Sequence, residues 1–104
     1  MTDLRPIHYR DIRDRLQGRR MVVHNRLGIV REATGTELAN LMGWPVTSIR
    51  PRLVELRDAG LCEATGERRD HEHVWRFVPL AVAEARAREV EQRAMTAQQM
   101  PLFV

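Results

Sequence analysis

Apolar residues recur along the first half of the chain at helical spacings. Ile12 and Leu16 lie four apart among arginine and aspartate, which predicts a short amphipathic helix over Tyr9–Leu16, broken near Gly18. Val23, Leu27 and Val30, with Met21 beside them, predict a second helix that fades near Arg31 and leaves Ala33 in an extended crossing. Thr34-Gly35-Thr36-Glu37 has the form of a capping box, in which the Thr34 hydroxyl and the Glu37 carboxylate each accept from the other's backbone N–H. The helix it starts is expected to bury Leu38, Leu41 and Met42 and to end at Gly43. After the turn Gly43-Trp44-Pro45, a further helix carries Ile49, Leu53 and Leu56 on one face and stops at Ala59-Gly60. Pro51 lacks an N–H and crowds the turn before it. That helix is therefore expected to begin late, at Thr47 or Ser48, with Pro51 in its first turn.

Beyond Gly60 the period changes to two. Leu61–Thr65 reads as a strand, Gly66–Glu72 as a polar loop and His73–Val78 as a returning strand, closed by Pro79. From Leu80 to Gln98 the composition turns to strong helix formers. Leu80, Ala83, Ala87, Val90, Ala94 and Ala97 mark a heptad seam made mostly of alanine.

Composition narrows the class. The 104 residues suit one domain, and 43% hydrophobic with 30% charged residues is an ordinary globular balance. Apolar runs such as Leu80–Ala83 are far short of the ~20 residues of a membrane span. The opening Thr2-Asp3-Leu4-Arg5-Pro6 has no leader pattern, and the single Cys62 has no disulfide partner, so the expected location is the cytoplasm. The net charge is +3, and all 17 basic residues are arginine. Residues 1–60 hold eleven arginines against seven acids, while residues 61–104 hold six against seven. A basic front half and an isoelectric point near 10.3 suit a polyanionic partner.

Helix, helix, tight turn, helix and hairpin is the order of a winged helix-turn-helix. The runs Thr34–Trp44, Ile49–Leu61, Gly66–Arg69 and Val74–Arg76 resemble the small winged-helix proteins of bacteria and their phages, related to the MarR and ArsR regulator domains. The resemblance implies a mainly α fold with a small β-hairpin: an N-terminal helical arm over 1–18, a winged helix-turn-helix over 19–79, a C-terminal helix over 80–98 and an apolar tail over 99–104. It also implies that the Ile49–Leu56 helix lies in the DNA major groove while the hairpin, the wing, reaches phosphates. With Ile49, Leu53 and Leu56 buried, Thr47, Pro51 and Val54 point outward, and Ser48 and Arg50 flank them. Arg50 then suits a guanine, Thr47 and Ser48 suit phosphates or base edges, and Val54 suits a thymine methyl. Arg52, nearer the core side, and Arg68 and Arg69 at the wing tip suit backbone phosphate. The acids Glu55, Asp58, Asp70 and Glu72 share these surfaces and lower their potential. The expected function is non-enzymatic binding of double-stranded DNA, as a small transcriptional regulator or a replication-associated factor. The competing class is a protein-interaction module.

Other signals are weaker. His71, His73 and Cys62 suggest three zinc ligands, but no fourth group completes a site, and a solvated histidine pair is the plainer reading. Trp44 and Trp75 are expected in the core rather than stacked on bases. No nucleophile-histidine-acid set and no Gly-rich phosphate loop is present, so neither catalysis nor a cofactor is expected. The alanine seam admits three uses: pairing with a second copy, folding back on Tyr9–Leu16, or remaining solvated. Dimerisation through terminal helices, common in related domains, favours a homodimer through residues 80–98. In the tail, Gln99-Met100-Pro101-Leu102-Phe103 resembles the peptide by which bacterial replication and repair proteins dock on the sliding clamp, although Pro101 departs from the usual Ser or Asp. Gln99, Leu102 and Phe103 would be its anchors; the alternative is that Leu102 and Phe103 cap the protein's own core or dimer.

Overall fold

A computed structural model describes residues 9–99. Its elements are α1 (Tyr9–Arg15), α2 (Gly18–Val30), β1 (Glu32–Ala33), α3 (Gly35–Met42), α4 (Val46–Asp58), β2 (Cys62–Arg69), β3 (Glu72–Phe77) and α5 (Leu80–Gln99). The strands form one antiparallel sheet in the order β1-β3-β2. β1 is the extended crossing at Ala33, fixed as a strand because Glu32 and Ala33 pair with Arg76 and Trp75.

The stripe Ile49, Leu53 and Leu56 on α4 forms the centre of the core, against Val23 and Leu27 of α2 and Leu38 of α3. Leu61 continues it at the start of the hairpin, where the Val78 N–H donates to the Leu61 carbonyl. Phe77 lies across the ring of buried His24, with centroids 4.5 Å apart. It also passes close to Gly28, where an added Cβ would come within 3.0 Å of the ring. A larger residue there would need the ring to give by a few tenths of an ångström, and glycine lets α2 settle directly on the sheet. His24 Nε2–H donates to the Val78 carbonyl at 2.9 Å, so α2 and the end of β3 are joined by a buried hydrogen bond as well.

Four expectations need correction. Leu41 is 51% exposed, and Ala39 takes its place in the core. The buried face of α3 runs through Leu38, Ala39 and Met42, and Leu41 lies roughly 100° around the helix from its centre. α4 starts at Val46, so Pro51 falls beyond the first turn. The first turn is tightened by a Ser48 N–H to Pro45 carbonyl bond, and Pro51 is exposed, so water reaches the Thr47 carbonyl that proline leaves without its helical donor. The loop expected over Gly66–Glu72 is mostly strand, since β2 runs on to Arg69. The reversal is made by Asp70 and His71 alone, at φ 50 and 66, the pair of left-handed residues that a two-residue hairpin of type I′ needs. Gly66 instead marks a bulge: between the pairs Ala64–Trp75 and Arg68–His73, β2 advances four residues against two on β3.

The fourth correction concerns the seam of α5, which divides in two. Leu80, Ala83 and Ala87 pack on the core and the helix lies against α1, with Arg13 paired to Glu84 at 3.0 Å. Val90 is 55% exposed, and Ala94 and Ala97 are exposed beyond it. Folding back on α1 is thus the use made of the inner half only.

Because Leu56 is fully buried at the centre of the stripe, Leu56→Ala is expected to lower stability by ~2–5 kcal/mol, against ~1 kcal/mol for Thr34→Ala at the helix cap. Thermal melts giving the reverse order would relocate the centre of stability. His24 supplies a pH dependence. Burial holds its pKa below the ordinary 6.5, against the smaller opposing effect of the Val78 carbonyl. Below that value the unfolded chain takes up a proton that the folded chain resists, so stability is full above about pH 6.5 and falls as the pH drops. Urea unfolding at pH 7.5 and 5.5 is expected to show the loss in the parent and much less of it in His24→Leu; equal losses would place its origin elsewhere.

Candidate nucleic-acid interface

Two neighbouring surfaces converge on one side of the molecule: the outer face of α4 and the inner side of the β2–β3 hairpin. A cleft of about 750 Å³ separates them. Arg50, Val54 and Arg57 line it from α4, Arg68, His71 and His73 from the hairpin, and the side of Trp75 forms part of its wall. Glu72 is the carboxylate in that lining. Arg50, Val54 and Arg57 follow one another at steps of four and three, so they share a stripe about 100° around the helix from the buried Ile49, Leu53 and Leu56.

Of the residues expected at the surface of α4, Thr47, Arg50 and Val54 are exposed and Ser48 is half-buried. Arg52 faces α2: Glu55 receives its Nη2–H at 2.8 Å and also pairs with Arg20 at 3.3 Å, forming a bridge between the two helices. Arg50 reaches across the cleft to Glu72 at 3.2 Å. On the hairpin, Arg68 stands opposite His73, with Nη2 3.5 Å from the imidazole Nε2. Arg69 bends back to α3, where both oxygens of Glu37 accept from its Nη1 at 2.9 Å.

The first turn of α3 is the anchor for these contacts. Thr34 Oγ1 accepts from the Glu37 N–H at 3.1 Å, and Glu37 accepts from the Thr34 N–H at 2.8 Å, so the expected capping box is complete. The Thr34 N–H, and then Arg69, hold the Glu37 carboxyl below the usual carboxylate range. Glu72 lies beside the same turn from the hairpin, where Thr36, and then Arg50, hold its carboxyl below the ordinary carboxylate value.

Sequence reading overlooked Arg57 and the cleft side of His71 and His73. Arg57 was findable, seven residues beyond Arg50 on the same helical face. The histidines depend on the register of the turn, which Gly66 obscured. Trp44 packs against the core, whereas Trp75 packs against the core with one side and faces the cleft with the other. Cys62 pairs with Phe77 at one end of the hairpin and His73 with Arg68 at the other, so the three suggested zinc ligands do not converge. The Cys62 thiol is buried, donates to the Leu53 carbonyl at 3.5 Å, and has its pKa pushed up to about 12 by burial. Gln99 is the last residue of α5; Leu102 and Phe103 lie outside the described residues.

No protein-family model matches the sequence, and no curated protein does either. Solved structures do share the fold. The antimony-specific transcriptional repressor AntR superposes with a TM-score of 0.56 over 85% of this chain and 78% of its own, at 18% identity. A possible transcriptional regulatory protein from Mycobacterium bovis, solved as a fragment of residues 1–100, gives 0.55 over 85% of this chain and 99% of its own, at 23% identity. The fold is a winged helix-turn-helix. In it α3 and α4 are the helix-turn-helix pair, the β2–β3 hairpin is the wing, and α1 and α5 are terminal helices packed on each other. Among the described residues, no helix is long and apolar enough to cross a membrane.

Proposed function

We propose that the chain binds double-stranded DNA without catalysis, as a small transcriptional regulator, with α4 in the major groove and the wing against the flanking backbone. The observation that carries this reading is the cleft between α4 and the wing, with its three arginines and two histidines facing one carboxylate. A phosphate-lined strand edge is the ligand such a cleft suits, because guanidinium groups bind phosphate oxygens in charge-assisted pairs. Two regulators that share the fold point the same way. Arg50 and Val54 meet base edges, Thr47, Ser48, Arg57 and Arg68 meet the backbone, and Arg52 and Arg69 reach phosphate only by leaving Glu55 and Glu37. The exposed outer seam of α5, with Val90, Ala94 and Ala97, suits a second copy and hence a homodimer.

Titration against random and selected duplexes across a salt series tests this reading. The parent is expected to bind both with a steep salt dependence. Arg50→Ala is expected to weaken binding to the selected duplex by ~1–3 kcal/mol and to relax specificity, while Arg68→Ala weakens all duplexes alike and lowers the salt slope by about one. A parent that leaves duplex DNA unbound at low salt overturns the reading.

A second reading concerns the tail and the replication-associated role. Arg93 to Ala97 are exposed on α5, so the described end of this helix stands clear of the core, and the apolar tail follows it in the sequence. A synthetic peptide covering Ala97–Val104 is expected to bind a bacterial sliding clamp with micromolar affinity, since a short peptide gives up much of its interaction energy on ordering. The same peptide with Leu102→Ala and Phe103→Ala is expected not to bind. Equal binding by the two peptides, or none by either, removes the clamp from the account.

A further inference from the structure

Glu72 stands where three segments meet. A Cβ on Gly35 would lie 3.5 Å from both Glu72 Oε1 and Arg50 Cγ, so α3, α4 and the wing are at contact distance there. The two members of the Arg50–Glu72 pair are held very differently. The Glu72 side chain is 21% exposed and lies against the first turn of α3, where a Cβ on Gly35 would stand 3.5 Å from its Oε1. The Arg50 side chain is 58% exposed and meets the carboxylate through Nη2 alone at 3.2 Å. The acid is therefore anchored and the base is loosely tethered to it. A guanidinium has one forked face to offer a carboxylate, a phosphate or a guanine edge, and these acceptors compete for it.

We infer that Glu72 is an internal competitor for DNA: it holds Arg50 across the cleft and weakens every complex in which Arg50 must turn to the duplex. The inference rests on the DNA-binding reading above. The neighbouring pair acts differently. Arg69 and Glu37 fasten the wing to α3 through two contacts at 2.9 Å and leave the outer face of α4 untouched. Among the described residues, Glu72 is the wing side chain that pairs with an arginine on the cleft side of α4.

The test uses Glu72→Gln in the full chain. Glutamine keeps the size of the side chain and an acceptor oxygen beside α3, so the fold is expected to persist, checked by thermal melting, while the charge that retains Arg50 is gone. Binding to duplex DNA at moderate salt is expected to tighten about two- to five-fold, the range spanned by an exposed ion pair. The gain is expected to disappear when Arg50→Ala is added, because the competitor then has nothing to retain. Asp70→Asn, an equal change of charge on the wing turn, is expected to give a smaller gain that survives Arg50→Ala. Unchanged or weaker binding by Glu72→Gln, a gain that survives Arg50→Ala, or an equal gain from Asp70→Asn overturns the inference while leaving DNA binding intact. Failure of both the parent and Glu72→Gln to bind any duplex at low salt overturns the DNA reading and the inference together.

Discussion

The first turn of α3 is the constraint around which the molecule is arranged. A helix start exposes N–H groups that have no partner within the helix and need acceptors from elsewhere. Here Thr34 serves the Glu37 N–H from within the local sequence, and the Glu72 carboxylate of the wing lies beside Thr36 in the same turn. Glu37 then recruits Arg69, and Glu72 recruits Arg50. One helix terminus thereby fixes the wing relative to the helix-turn-helix and draws in Arg69 and Arg50, the second of which lines the proposed DNA cleft. The wing is a two-stranded ribbon that β1 joins only at its base, and such a ribbon is marginal alone. These polar ties give its tip a defined position over α4.

The same ties govern the charge of the functional face. A net charge of +3 is modest, and much of the arginine on α4 and the wing is engaged: Arg52 with Glu55, Arg57 with Asp58, Arg69 with Glu37, Arg50 with Glu72. Pairs this exposed are weak and screened by salt, so a polyanion competes with them on nearly even terms. A face built this way attracts DNA less strongly than its arginine count implies, and its affinity depends on which pairs open. At the opposite end, α1 and the inner half of α5 close the core, while the outer half of α5 carries its alanines and Val90 into solvent. Alanine buries little area, so a contact there gains little unless a long stretch is covered at once.

What the sequence determined by itself is local. The capping box at Thr34–Glu37, the stop at Gly43, the buried stripe Ile49-Leu53-Leu56 and the change of period after Gly60 all follow from interactions spanning a few residues, and each is present as expected. Leu41, Pro51 and the wing turn depended on the tertiary structure. Which side of a short helix is buried depends on what packs against it. Where α4 starts depends on whether water reaches the carbonyl that Pro51 leaves free. The turn falls at Asp70-His71 because the bulge at Gly66 shifts the register of the whole hairpin. The partners of the charged side chains were equally beyond reach. Arg50 and Glu72 lie 22 residues apart and Glu37 and Arg69 lie 32 apart, and a long side chain on a solvated face has no periodicity that names its partner. Packing alone brings those pairs together, so the elements could be read along the chain and the electrostatics of the face they build could not.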